Sequence, residues 1–336
     1  MEDFIKKCPK VELHAHLNGS LSIETLQKLA IIKYGKSNSR FKELCDDFRN
    51  FEDHSMSECF QKFKFAHELT STLECLREAT LLAIKEFSED NVVYLELRTT
   101  PKSTEEMSKR DYLENVLLAI KKASEDYPNI LVKLLPSIDR SQGLDSAEEM
   151  FSLVLDFLED DRFKDIIKGI DLSGNPTVGN FGVYKNLLVR AREASLKLAL
   201  HCGEVENPSE ITEMIEFGMD RCGHGTFISG ENFELLKEKK IPVECCLSSN
   251  VVCGTVKNFN EHHFKRLLDA NHPVVICTDD LGIFNSNLSS ELTIAFNTFS
   301  LTIDDLRKVI TNAVNCSFAA EEDKSDILKK IEAFFI

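Results

Sequence analysis

"KVELHAHLNGS", residues 10–20, is the stretch on which the reading of the fold turns. A short apolar run gathers two histidines at its C-terminal end and then breaks at Asn18, Gly19 and Ser20. In a β-strand, residues i and i+2 share a face. His14 and His16 therefore project side by side, and Asn18 follows on that face if the strand runs on. Two imidazoles on one face can converge on one metal ion. A half-buried strand with two hydrogen-bonded histidines would contain the same pair, so the rest of the chain has to separate the two readings.

The pattern recurs. The runs "NVVYLEL" (91–97), "ILVKLLPSI" (130–138), "IIKGIDLS" (166–173), "LKLALH" (196–201), "DRCGHG" (220–225), "PVECCLSS" (242–249) and "HPVVICTD" (272–279) bring the number to eight. Near-continuous apolar runs suit parallel strands buried on both faces. Helical spacing separates them, as in "VYKNLLVRAREASL" (183–196) with its basic solvent face. Eight strands alternating with helices predict an α/β fold, a (β/α)8 TIM barrel forming one domain over 1–336. A doubly wound sheet stays open, because the sixth run is poor in apolar periodicity. Between the first two runs lie about 70 residues with helical patterns, including "MSECFQKFKFAHELT" (56–70). They predict a helical insertion after the first strand, at about 20–88. Barrels build substrate-covering structure at that end of a strand; a packing unit with no part in binding is the alternative.

Composition narrows the partners. Net charge is −16, from 56 acidic and 40 basic residues, which repels a polyanion and argues against nucleic acid. The eleven cysteines are scattered, without a C-x-x-C pair, and read as free thiols in a reducing compartment. The N-terminus "MEDFIKKCPK" lacks an apolar core, and no run approaches 18 apolar residues. No membrane and a cytoplasmic location are expected.

The polar residues at the C-terminal ends of the runs carry the chemistry. They are His14 and His16; Asp171; His201 with Glu204 close behind; His224 between two glycines; and Asp279 with Asp280. Barrels place their active sites at this face. Three neutral imidazoles and one carboxylate suit zinc, which lowers the pKa of bound water to about 7. Glu204 could shuttle protons if its site raises its pKa, and His224 could orient or deprotonate the water. That is equipment for metal-assisted hydrolysis. The H-x-E…P-C-x-x-C signature of the cytidine-type zinc deaminases is missing.

"HAHLNGS" (14–20), "GIDLSGNP" (169–176), "HCGE" (201–204), "RCGHGT" (221–226), "CLSSNV" (246–251) and "ICTDD" (276–280) stand in an order and spacing that resembles the adenosine/AMP deaminase family of amidohydrolases, over roughly residues 8–320. The resemblance implies that His14, His16, His201 and Asp279 hold one zinc ion. It implies that Glu204 protonates purine N1, that His224 orients the hydroxide attacking C6, and that Asp280 and the Gly174 backbone contact N7 and N3. The carbamylated lysine that bridges two metals in many amidohydrolases has no counterpart at the end of the fourth run, which fits one metal.

Three positions depart from the family pattern. Cys202 replaces Ala, Leu281 replaces Pro, and Asn18 replaces the Asp that holds the ribose 5′-hydroxyl. A carboxylate at position 18 would repel a 5′-phosphate, whereas an amide offers a donor. The chain is most similar to the adenosine deaminase-like, N6-methyl-AMP-acting branch. The expected substrate contacts are His16, Asn18, His67 from a lid, Thr99, Thr100, Pro101 and Lys102 of "LRTTPK" (97–102) with Arg98 nearby, Asp139 for a ribose hydroxyl, Gly174, Glu204 and Asp280. Lys102 could instead be a solvated loop charge. The expectation is a monomeric, zinc-dependent hydrolase turning a purine nucleotide, N6-methyl-AMP, into IMP and methylamine. An adenosine deaminase acting on the nucleoside and a nucleotide-binding barrel without turnover are the rivals. Elsewhere His262–His263 reads as solvent-facing on a helix, His54 and His272 as structural, and Cys245–Cys246 as packing for the seventh strand.

Overall fold

The computed structural model describes residues 1–49 and 56–336. Its strands are β1 Lys10–His16, β2 Val92–Thr99, β3 Leu131–Asp139, β4 Gly169–Ser173, β5 Lys197–Cys202, β6 Arg221–His224, β7 Val243–Cys245 and β8 Val274–Ile276. They pair in parallel, strictly in chain order. Beyond β8 the chain meets β1 through a bridge between Ala15 and Asp279. There the His16 N–H donates to the Asp279 carbonyl at 2.9 Å, and the Asp279 N–H to the His14 carbonyl at 2.8 Å. The sheet thus curls into a nearly closed (β/α)8 barrel. A doubly wound sheet would reverse its strand order at a switch point, and this one does not.

The late strands are shorter than their runs. The run 242–249 gives only three strand residues, and Leu247–Val252 turns into a helix that carries Ser249 and Asn250 to the rim. The weak sixth run is a four-residue strand, buried throughout. All eleven cysteines are free, with Cys245 and Cys246 buried beside β7.

Inside, the register of β1 against β2 breaks between Glu12 and Ala15. The freed His14 N–H donates to the Glu12 carboxylate at 2.8 Å, whose other oxygen accepts the Thr278 N–H at 3.0 Å. A buried amide must find a partner, and here a side chain supplies it. Lower in the barrel lies an ionic layer. Arg98, Arg221, Glu96, Glu244 and Asp171 are all fully buried.

Among the described residues, four helices separate β1 from β2: Ile23–Tyr34, Ser39–Arg49, Met56–Leu69 and Leu73–Glu89. Ser22 and Thr72 cap the first and last through side chains that accept from Thr25 and Cys75 amides. The last packs on Lys109–Asp126 of the outer ring, where Asn115 donates to the Leu73 carbonyl at 2.6 Å. Met56–Leu69 lies over the barrel mouth, and Lys62 Nζ donates to the Ile283 carbonyl at 3.1 Å. Among the described residues no helix is long and apolar enough to cross a membrane.

Candidate active site

His14 and His16 point to one face of β1, as period-two alternation requires. His201 joins them from the end of β5, and Asp279 from three residues past β8. His14 Nε2 and His16 Nε2 lie 3.2 Å apart, as do His16 Nε2 and His201 Nε2. Asp279 Oδ1 is 3.3 Å from His14 Nε2 and 3.4 Å from His16 Nε2. Donors bound at about 2.0–2.1 Å in tetrahedral directions stand about 3.3 Å from one another, so these spacings fit a shared ion.

The tautomers agree. His14 Nδ1 donates to Glu244 Oε2 and His201 Nδ1 to Asp171 Oδ1, both at 2.8 Å. Both Nε2 lone pairs are thereby left facing inward, as a metal requires. Burial pushes His16 down to about 3, so its imidazole is neutral.

The two backing carboxylates are held by one guanidinium. Arg98 donates to Glu244 at 2.5 Å and to Asp171 at 3.2 Å. Arg221 adds a bond to Glu244 Oε1 at 2.6 Å. Burial alone would raise Glu244, but Arg98 and Arg221 overcome it and hold it well below the usual carboxylate range. The same contest, won by His201 and Arg98, lowers Asp171. Arg98, expected near the phosphate, is fully buried near the end of β2 and serves beneath the histidines. Asp279 is fixed by Ser249 Oγ, which donates to Oδ2 at 2.7 Å.

Two site residues sit in left-handed backbone: His224 (φ +62°) and Asp279 (φ +62°). That conformation costs an L-residue about 1–2 kcal/mol. It turns each strand end sharply, so that both side chains line the cavity.

That cavity, about 420 Å³, falls within the range of about 300–1,000 Å³ usual for ligand sites. Its floor carries His16, His201, Glu204, His224, Asp279 and Asp280. Burial raises Glu204, and burial together with the Asp279 carboxylate raises Asp280 well above the usual range. Both can carry a proton into an apolar site. A Cβ at Gly19 would lie 1.6 Å from Asp280 Oδ1, so only glycine leaves that carboxyl its room. Gly174 (φ +89°) is similarly constrained: its Cβ would fall 2.2 Å from Asp139 Oδ1.

The mouth is a hydrogen-bonded cluster. β1 stops at His16, so Asn18 does not continue the strand face but stands in the following turn. Tyr112 Oη donates to Asn18 Oδ1 at 3.2 Å, and Thr99 Oγ1 lies 2.7 Å from Tyr112 Oη. Asn18 Nδ2 then donates to Thr70 Oγ1 at 3.0 Å and His67 Nδ1 at 3.3 Å. Lys102 Nζ reaches Thr70 Oγ1 and His67 Nδ1, each at 3.3 Å. Lys102 is not a solvated loop charge. Burial, with Lys33 second, lowers it to about 8. Desolvation by the cavity walls, then Lys102, lowers His67 to about 4.

Thr99, Thr100 and Asp139 line this cavity, but the buried Pro101 does not. The Asp139 carboxylate accepts from the Ser141 N–H at 2.9 Å and from Gln142 Nε2 at 3.0 Å. Thr70, Tyr112, Glu244, Ser249 and Asn250 were missed by sequence reading. The two in "CLSSN" lay inside a quoted motif; the others sit on a helix, just past one, or in a strand interior, with nothing local to mark them.

His262 and His263 are not solvent-facing. They precede the helix Phe264–Asp269, stack at 4.3 Å and are buried, His263 against the His224 carbonyl and His262 against the Asn250 side chain. His272 is buried and bonds the Ile241 carbonyl at 2.7 Å. His54 lies outside the described residues.

Residues 9–334 match the family model described as adenosine deaminase. The chain is 52% identical to the adenosine deaminase-like protein of Drosophila melanogaster, over 98% of this chain and 97% of that protein. Among solved structures it resembles the apo N6-methyl-AMP deaminase from Arabidopsis thaliana, with a TM-score of 0.90 and 37% identity, covering 99% of this chain and 98% of that one. A structure of arabidopsis ADAL complexed with IMP matches with a TM-score of 0.88 and 37% identity, over 98% of each chain.

Proposed function

The chain belongs to the adenosine deaminase family and is a hydrolytic deaminase, and from that premise we propose that its substrate is N6-methyl-AMP, or a close N6- or O6-alkyl purine nucleotide. The observation that carries this is one cavity with hydrolytic residues on its floor and an uncharged Asn18 beside a lysine at its mouth. The named Arabidopsis relative and the IMP-bound neighbour support the same reading.

The family is metal-dependent, and the donor set suits a single zinc ion held by His14, His16, His201 and Asp279. When bound, the ion acidifies water at neutral pH. The remaining steps belong to side chains. Glu204, whose carboxyl burial raises above its ordinary value, gives its proton to N1 as the water oxygen adds to C6. Asp280, held neutral, donates to N7. The Gly174 backbone faces N3, and His224 positions the attacking oxygen. The C6–N6 bond then breaks. Of the two water protons, one ends on N1 by way of Glu204 and the other on the departing methylamine. Asp139 takes a ribose hydroxyl.

At the mouth, Lys102 supplies the charge for a phosphate dianion, with Thr70, Asn18 and His67 around it. Charge-assisted hydrogen bonds of this kind are worth about 1.5–3 kcal/mol. An aspartate at position 18 would compete with the phosphate for Lys102.

A substrate panel tests the proposal: N6-methyl-AMP, AMP, adenosine and O6-methyl-GMP, each followed for product. Alkylated monophosphates are expected to be turned over with the highest kcat/KM, and Asn18→Asp to shift preference toward nucleosides. A wild-type preference for adenosine over its monophosphate would make the protein an ordinary adenosine deaminase.

A further inference from the structure

His224 is held by three residues that have no assigned part in the reaction. His263 Nε2 lies 2.7 Å from the His224 carbonyl, and His262 Nε2 lies 3.0 Å from Asn250 Oδ1. Asn250 Nδ2 in turn lies 3.3 Å from His224 Nδ1. All three side chains are buried.

The donor directions along this chain follow from its far end. The Phe264 backbone N–H donates to His262 Nδ1 at 3.1 Å. A backbone amide can only donate, so His262 Nδ1 is an acceptor. Burial holds His262 down to about 2, so the ring is neutral and carries its single proton on Nε2. That proton points at Asn250, whose facing atom must then be the carbonyl oxygen. The amide end of Asn250 is left toward His224, and it too can only donate. His224 Nδ1 is therefore an acceptor, and a neutral His224 carries its proton on Nε2.

A separate observation agrees. His224 Nε2 faces two carboxylates, Glu204 Oε2 at 3.7 Å and Asp279 Oδ2 at 3.9 Å. An N–H is favourable beside the Asp279 carboxylate, whereas a lone pair would be repelled by it.

We propose that His262 and Asn250 are positioning residues that fix the tautomer of His224, making it a hydrogen-bond donor from Nε2 to the attacking oxygen and not the base that removes a proton from it. His263 complements them. By holding the carbonyl of His224 it keeps the left-handed backbone (φ +62°) that aims the ring. The catalytic consequence rests on the role proposed above for His224; the tautomer does not, and can be read without substrate.

The test is a long-range proton–nitrogen correlation spectrum of the metal-loaded, histidine-labelled enzyme, with His224 assigned by its loss in His224→Ala. The expected pattern is an unprotonated Nδ1 and a protonated Nε2. The reverse pattern overturns the proposal whatever the substrate proves to be. Asn250→Leu, with Asn250→Ala as a second variant should the first not fold, is expected to release a mixture of both tautomers. It should lower kcat by ~10–10²-fold with little change in KM for the nucleotide. An unchanged tautomer in a folded Asn250 variant overturns the relay. His262→Gln keeps a donor toward Asn250 and should retain kcat, while His262→Ala should fall with the Asn250 variants. Equal loss in the two His262 variants also refutes the relay, because it would show that the donor is not what matters.

Discussion

The floor and the mouth of the cavity are built in opposite ways. At the floor three of the four donors are backed from below: His14 by Glu244, His201 by Asp171, Asp279 by Ser249, and the two carboxylates by Arg98. All of these groups except Ser249, which stands on the short helix after β7, hang from a strand or a strand end. At the mouth, Asn18, His67, Thr70 and Lys102 lean on one another, and three of the four belong to the insertion or to turns. The floor has a rigid geometry that a small displacement would spoil. The mouth can exchange partners, which suits its proposed role of receiving a phosphate. Chemistry and selectivity thus sit on separate structural supports, and substitutions should separate them.

The largest expected effect is at the floor. His201→Ala should bring the metal content of purified protein to background and abolish turnover of nucleotide and nucleoside alike. Next comes Glu204→Gln, which removes the proposed proton donor but leaves the proposed ligands in place. It should keep metal and fold, checked by metal analysis and circular dichroism, and lose ~10²–10⁴ in kcat for every substrate.

Lys102→Ala moves to the mouth. It should raise KM for the nucleotide by ~10–10²-fold, from the loss of a charge-assisted bond, and leave nucleoside kinetics unchanged. Equal loss with both substrates would erase the division between the regions. The smallest effect is a pH dependence. Lys102, lowered to about 8, is charged below that pH and neutral above it. Nucleotide kcat/KM should therefore fall as pH rises through about 8, a limb that the nucleoside profile and Lys102→Ala both lack. Loss of the Glu204 proton at high pH affects both substrates equally, so the ratio of the two profiles isolates Lys102.

The sequence disclosed the floor more fully than the mouth. Histidines two apart at the end of an apolar run, and polar residues at the ends of four other runs, are local signals that period-two geometry converts into a shared rim. The supports are not local. Glu244 lies within an apolar run, and only barrel closure brings it to His14, 230 positions away. Arg98 was misjudged for the same reason. One residue decides whether a side chain on a strand end faces the rim or the interior, and the end of β2 could not be fixed to that precision from composition. Tyr112 and Thr70 looked like ordinary helix residues. His262 and His263 looked solvated because the groups that hold them, Asn250 and the His224 carbonyl, are brought to them only by the fold.

The Ala15–Asp279 bridge has a bearing on how the chain comes together. Adjacent strands elsewhere pair through ladders, whereas here the first and last strands meet through that bridge and the two hydrogen bonds around it. His14 and His16 stand on one side of this seam and Asp279 on the other. An ion gripped by all three would be a clasp across the seam, joining segments more than 260 positions apart that nothing can join until β8 has been made. Stripping the protein with a chelator should then lower its melting temperature. The amides of His16 and Asp279 should begin to exchange with solvent before those in the β3–β4 ladder, so the barrel would open first along the line where it was closed last.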